Sequence, residues 1–142
     1  MLRRGTSGVL ALSGDDGYPY AVPVSYAYSD GRIYFHGAGS GHKMDSIRRC
    51  SRASFCVIDT DRIVPREFTT YFRSVIAFGQ IRVLEDEAEK RAAIETLAAK
   101  YSPGDPEGLA KEIDGSFKAL CMLEFAVEHM TGKESIELVR AR

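Results

Sequence analysis

Strand patterns follow one another through the first part of the chain with only tight turns between them. The apolar runs 8–13, 20–28 and 33–36 are separated by the turn sequences Asp15-Asp16-Gly17 and Ser29-Asp30-Gly31. Turns this short join antiparallel neighbours, whereas a doubly wound parallel fold needs a helix between most of its strands. The sequence therefore predicts an antiparallel sheet.

The rest of the chain adds three strand patterns and a helical insertion. Residues 59–68 contain Pro65 and are polar, which predicts a surface loop, and Gly79 predicts a bulge in the longest strand. Further strands are predicted at 53–58, 69–84 and 117–130, and helices at 43–50, 86–101 and 107–113. We therefore expect one domain over residues 1–142, α+β but mainly β, built as a six-stranded antiparallel barrel with short helices.

Composition excludes several classes of function. The formal net charge of −1 gives no reason to expect nucleic acid or an anionic membrane as the main partner. No apolar run approaches the ~20 residues that cross a bilayer, and no cleavage signature follows the basic N-terminus. Cys50, Cys56 and Cys121 lack a CxxC spacing and fit reduced thiols, so we expect a cytoplasmic protein. The three histidines show no metal-ligand spacing, and no metal site is predicted.

The second strand, 20–28, has one bulky face and one small face. Tyr20, Val22, Val24, Tyr26 and Tyr28 alternate with Ala21, Pro23, Ser25 and Ala27. The small face leaves room for something large, which is a close-packed helix, another sheet or a flat ligand. Pro23 cannot donate to a ladder, so the strand has an edge or a bulge near its middle.

The segment after the third strand has the features of an anion site. Three glycines stand within five residues, at 37, 39 and 41, between the strand-end His36 and Lys43 at the start of a helix. Glycines let a backbone approach a ligand closely, and helix N-termini direct free N–H groups toward anions. The pattern predicts a pocket for a phosphorylated small molecule with His36 at its edge. Each residue also has a simpler interpretation: His36 is a strand-end histidine with no chemical role, Lys43 is a solvated lysine at the helix start, and His42 is a solvent-facing loop residue.

Several segments in order resemble one known family. The segments 17–26, 33–38 and 41–43, followed by 72–79 and 129–134, are similar to the pyridoxamine 5′-phosphate oxidase-related FMN-binding split barrels. Within that family the 5-nitroimidazole-reductase branch is the most similar, and the resemblance extends over residues 8–137.

The resemblance implies a homodimer with two FMN molecules in clefts at the subunit interface. It places the phosphate near Lys43 and the glycine turn, and it places His36 beside the flavin ring, where it would donate a proton as the catalytic residue. Ser74 and Val75 would approach from the same cleft or from the dimer mate, and Thr131 and Lys133 from the partner chain. The full set of implied cofactor contacts is Pro23, Val24, Ser25, His36, Gly37, Gly41, His42, Lys43, Ser74, Val75, Thr131 and Lys133.

The function that follows is an FMN-dependent oxidoreductase that takes electrons from a nicotinamide donor and reduces a small acceptor, for example a nitroaromatic compound. Oxidation of pyridoxamine phosphate is less favoured, because it needs a second phosphate site with its own arginines. The open alternatives are a non-catalytic flavin-binding or sensor protein, and a split barrel that binds F420 or haem instead of FMN. A small barrel that binds nucleic acid is the weakest alternative at this net charge.

Overall fold

The structure, a computed structural model, describes residues 1–142 and contains one seven-stranded sheet with four helices around it. The strands are β1 (Ser7–Ser13), β2 (Pro19–Ser25), β3 (Ala27–Ser29), β4 (Arg32–Gly37), β5 (Arg52–Val64), β6 (Thr69–Val83) and β7 (Cys121–Glu134). The helices are α1 (His42–Arg49), α2 (Glu87–Tyr101), α3 (Pro106–Ser116) and α4 (Ile136–Arg140). Short 3-10 turns lie at Asp15–Gly17 and Pro65–Glu67.

The sheet curls because its two edges are neighbours in sequence. The strand order is β2-β1-β5-β6-β7-β4-β3, and every pair is antiparallel. The edge strands β2 and β3 are separated by Tyr26 alone, so the ends of the sheet must come together there. They do not pair, and the barrel stays open at this seam. The predicted mainly β, antiparallel α+β class is confirmed, and the open curled sheet is compatible with a split barrel.

The predicted strand count of six is wrong, because the pattern at 20–28 is two strands. Tyr26 is fully buried, and its hydroxyl donates to the Leu2 carbonyl oxygen at 2.7 Å. Its ring packs edge-to-face on Phe55 with centroids 4.9 Å apart. This anchoring turns the chain between β2 and β3, so the two halves pair with different neighbours. Alternation alone carries no sign of that break.

The predicted loop at 59–68 is also wrong for most of its length. Residues 60–64 continue β5 and pair with β6 from Arg73 back to Thr69, after a register shift between Ile58 and Thr60. Both faces of this long hairpin are largely exposed, so its side chains need no apolar alternation to form a strand. The bulge at Gly79 is confirmed, since the register with β7 shifts there and a Cβ at this position would collide with the Ala126 carbonyl oxygen.

Two apolar clusters hold the elements together. The larger fills the inside of the curled sheet and includes Leu10, Phe35, Phe55, Ile81 and Phe125, with Met44 and Ile47 of α1 closing it. The smaller lies between the outer side of β3, β4 and β7 and the helices α2 and α3, and includes Ala27, Leu97, Ile113 and Met122. The helical insertion therefore covers only one side of the sheet.

A cluster of ion pairs ties both ends of the chain to the long hairpin. Arg4 binds Asp59 through two nitrogen–oxygen contacts of 2.6 Å, and Arg73 bridges Asp59 and Glu134. Arg142 adds a contact of 2.7 Å to Glu134. Hydrogen bonding to the Arg4 guanidinium is the largest cause that holds the pKa of Asp59 below its usual range.

The end of α2 clamps the seam between the two sheet edges. The Tyr101 hydroxyl accepts from the Tyr26 N–H at 3.1 Å and lies 2.5 Å from the Thr6 carbonyl oxygen and 2.7 Å from the Tyr26 carbonyl oxygen. The Lys100 ammonium donates to the carbonyl oxygens of Gly5 and Tyr26. Burial lowers the pKa of Lys100 and raises the pKa of Tyr26 to about 12. The helical insertion is thereby fixed to the seam by polar contacts as well as by its apolar face.

Replacing Tyr101 with phenylalanine is expected to lower the free energy of unfolding by about 1 kcal/mol, because the Tyr26 N–H and the carbonyl oxygens of Thr6 and Tyr26 lose the hydroxyl as a hydrogen-bond partner. Urea denaturation followed by circular dichroism measures the change. Tyr18→Phe is the matched control, since the Tyr18 side chain is 75% exposed and makes no hydrogen bond within the chain. Equal stability of the two variants would show that the clamp contributes nothing.

Candidate functional site

The start of α1 presents a set of hydrogen-bond donors beside the end of β4. Gly41 occupies the N-cap position with φ 118°, a conformation that favours glycine, and no side chain caps the helix. The Lys43 ammonium lies over Gly37, where an added Cβ would come within 2.7 Å of Nζ. No carboxylate lies within 4.0 Å of Lys43. A free cation and open helical N–H groups together suit an anion.

The side chain of His42 points away from this set of donors. Its Nδ1 lies 3.4 Å from an Asp15 carboxylate oxygen, and Arg49 binds the other oxygen at 2.7 Å. The hydrogen bond from Arg49 is the largest cause that lowers the pKa of Asp15. If His42 contacts an anion as predicted, the contact is made by its backbone N–H. Its imidazole instead lies beside Asp15.

His36 and Ser25 meet in a cavity on the helix-covered side of the sheet, which we call the α2–α3 cavity. Its volume is about 360 Å³, and eight of its 11 lining residues are apolar. The lining residues are Ser25, His36, Ile94, Leu97, Ala98, Tyr101, Leu109, Glu112, Ile113, Leu120 and Met122. His36 directly precedes Gly37, so the cavity begins next to the residue over which the Lys43 ammonium lies.

The side of β2 that faces away from the core continues into a sheet surface of mostly small and apolar residues. One cross-strand row runs Pro23, Val9, Cys56, Ile76 and Thr131 over five strands. We call this surface, with the neighbouring row Ala21, Ala11, Ser54, Phe78 and His129, the open sheet face. Pro23, Val9, Phe78 and Thr131 are all exposed. Ser25, Ser74 and Lys133 extend the same face, with Ser74 directly opposite Lys133.

Two of the sequence-predicted residues point the other way. Val24 packs against the interior cluster, and Val75 is a buried member of it. Only the backbone of these two residues lies on the outer side of the sheet.

The sequence-predicted residues form two groups that lie apart. In the first group, Ser25 and His36 line the α2–α3 cavity, Pro23 lies two residues before Ser25 on β2, and Lys43 lies over Gly37 next to His36. In the second group, Ser74, Thr131 and Lys133 lie on β6 and β7. Pro23 and Thr131 are four strand spacings apart in one row. At about 4.8 Å per spacing this is about 19 Å along the sheet. One planar ring cannot contact both groups in a single chain.

Sequence reasoning missed the contribution of the helical insertion. Ile94, Leu97, Ala98 and Tyr101 form a recognisable apolar stripe, but a stripe at helical spacing signals packing and does not reveal that one end of it lines a cavity. Glu112 of α3 lines the same cavity, and an isolated glutamate on a short polar helix gives no signal at all.

Other classes of site have no support in the geometry. The structure brings together no group of three or more histidine, cysteine or acidic side chains that could hold a metal ion. Its helices are too short or too polar for any of them to span a bilayer.

Comparisons with known proteins agree with the sequence resemblance. A family model described as pyridoxamine 5′-phosphate oxidase matches residues 1–134. Among curated proteins no significant match is found.

Solved structures of 21–24% identity share the fold. A proposed 5-nitroimidazole antibiotic resistance protein from Bacteroides thetaiotaomicron superposes with a TM-score of 0.77 at 21% identity, over 91% of this chain and 76% of its own. An FAD and haem binding protein from Mycobacterium smegmatis superposes with a TM-score of 0.77 at 21% identity, over 95% of this chain and 68% of its own. An FAD-binding protein from Mesorhizobium loti superposes with a TM-score of 0.69 at 24% identity, over 94% of this chain and 89% of its own.

Proposed function

Because this chain belongs to the pyridoxamine 5′-phosphate oxidase family, we propose that it is a homodimeric FMN-dependent oxidoreductase. It takes electrons from a nicotinamide donor and passes them to a small organic acceptor, of which a nitroaromatic compound is one example. FMN supplies the hydride and electron transfer when it is bound, and the protein binds, orients and protects the reacting groups.

The observation that carries this proposal is the free Lys43 ammonium above Gly37 beside an uncapped helix start. A cation at a helix N-terminus is unfavourable by itself, because it faces the positive end of the helix dipole. A phosphate group removes that conflict, since it accepts from both the ammonium and the helical N–H groups. The residues present therefore fit the phosphate of a flavin mononucleotide.

The residues beside Lys43 fit the rest of such a cofactor. The small, exposed outer side of β2 at Pro23 and Ser25 leaves space for a flat ring system. His36 directly precedes Gly37 and is exposed, and its side chain makes no hydrogen bond within the chain, so its imidazole is available to donate a proton. We assign it the role of proton donor to the acceptor.

The separation of the two groups of residues supports a dimer. Thr131 and Lys133 lie about 19 Å from Pro23 along the sheet of the same chain. A second copy packed on the open sheet face brings its own β6 and β7 to the seam. Each cleft would then take Lys43 and His36 from one subunit and Ser74, Thr131 and Lys133 from the partner.

Absorbance of the purified protein tests the proposal. We expect FMN to restore a visible flavin spectrum after removal of any bound cofactor, and NADH or NADPH to bleach it without oxygen. Re-oxidation by a nitroaromatic compound should restore it. A flavin spectrum that no nicotinamide bleaches would instead identify a flavin-binding protein without this activity. Preferential reconstitution by FAD, F420 or haem would identify that molecule, and not FMN, as the cofactor. A protein that stays colourless after all four additions would refute the proposal that it binds a flavin.

A further inference from the structure

We propose that the α2–α3 cavity binds the acceptor, and that the acceptor is a compact ring compound with a basic nitrogen and without phosphate or carboxylate. The role of acceptor rests on the function proposed above. The chemical class of the ligand is argued from the cavity alone.

The size and the walls of the cavity select a small apolar body. Its volume of about 360 Å³ is near the lower end of the range of about 300–1,000 Å³ that is common for small-molecule sites. Leu97, Leu120 and Met122 supply aliphatic and thioether surface, and the Tyr101 ring supplies an aromatic face. The Tyr101 hydroxyl is held by the backbone of Tyr26, which fixes the position of that ring. A planar ring fits these walls.

The scarcity of positive charge in the cavity disfavours anionic ligands. No lysine or arginine is among the lining residues. Lys100, next to Tyr101, directs its ammonium to the carbonyl oxygens of Gly5 and Tyr26. A phosphate or carboxylate in the cavity would lose water and find no permanent positive charge, since His36 is the one lining side chain that can carry one, and this is unfavourable.

Glu112 favours a ligand that carries a positive charge. Its only hydrogen-bond partner in the chain is the Ser116 hydroxyl at 3.3 Å, and no lysine, arginine or histidine nitrogen lies within 4.0 Å of it. Glu112 is exposed to solvent, and its unpaired carboxylate is the one acidic group among the lining residues, where a cationic nitrogen of the ligand would pair with it. Ser25 and His36 are also without partners in the chain, and both are available to hydrogen-bond the polar end of the same ligand.

The test compares three fluorescent probes that share one naphthyl ring: naphthylmethylamine, naphthylmethanol and naphthoate. We expect the unmodified protein, with FMN present, to bind the amine best and the carboxylate worst. Glu112→Gln should weaken amine binding about threefold to fivefold and leave alcohol binding unchanged, because it removes the charge of an exposed carboxylate and keeps its shape. Glu95→Gln is the matched control, an exposed glutamate of α2 that forms no ion pair and does not line the cavity.

Three results would overturn the assignment. They are equal binding of amine and alcohol, tightest binding of naphthoate, and displacement of the amine by FMN in proportion to flavin occupancy. The last result would give the cavity to the cofactor. Flavin retention is read separately from visible absorbance, so a protein that binds the amine at Glu112 but no flavin refutes the proposed oxidoreductase and leaves the ligand class supported.

Discussion

Lys43→Ala is expected to weaken FMN binding by about thirtyfold to a hundredfold. A charge-assisted contact to phosphate contributes about 2–3 kcal/mol, and Lys43 is the one basic side chain that the structure places over Gly37 without a carboxylate partner. Titration of the cofactor-free protein with FMN, followed by quenching of flavin fluorescence, gives the dissociation constant. Riboflavin, which lacks the phosphate, should bind the variant and the unmodified protein equally.

Lys111→Ala is the control for this experiment. Lys111 is an exposed lysine of α3 that forms no ion pair, so its removal changes the net charge by the same amount at a distance from the glycine turn. Unchanged FMN affinity in Lys43→Ala, or an equal loss in Lys111→Ala, would refute the phosphate role. Lys43→Arg should keep most of the affinity, because the guanidinium also carries a full positive charge.

The parts of the fold that follow from local chemistry were predictable from sequence. Tight turns at Asp15–Gly17 and at Asp30 and Gly31 give the antiparallel pairing of the early strands, and Asp86 caps α2 by accepting from the Glu89 N–H at 3.0 Å. The glycine turn before Lys43 is equally local, since Gly41 supplies the positive φ angle that starts α1.

The parts that depend on distant contacts were not predictable. Tyr26 ends β2 because its hydroxyl and ring find partners in Leu2 and Phe55, which lie in other parts of the chain. The α2–α3 cavity exists because α2 packs on β3, β4 and β7 and α3 packs on α2. Nothing in the local sequence of Glu112 reveals this arrangement. The separation between Pro23 and Thr131 follows from the strand order, which turn signals do not give.

A charge on the open sheet face is expected to break the proposed dimer. Phe78→Asp places a carboxylate on a residue that is 42% exposed and pairs with His129 across the sheet. In a twofold dimer both copies carry the new charge, so we expect the dissociation constant of the dimer to rise about a hundredfold or more. Analytical ultracentrifugation should show twice 15.7 kDa for the unmodified protein and 15.7 kDa for the variant at micromolar concentration.

Loss of the dimer should also reduce flavin binding. A joint loss of dimer and flavin would indicate that the interface forms part of the cofactor site, whereas loss of the dimer alone would indicate association without a role in binding. In the proposed dimer, Ser74, Thr131 and Lys133 reach the cleft near Pro23 from the second copy, so monomeric Phe78→Asp should bind FMN at least tenfold more weakly even though Lys43 is intact. Ala92→Asp puts the same charge on an exposed position of α2 and should keep both the dimer and the flavin. A monomeric unmodified protein would contradict the dimer. Full FMN affinity in a monomeric Phe78→Asp variant would place the whole cofactor site within one chain.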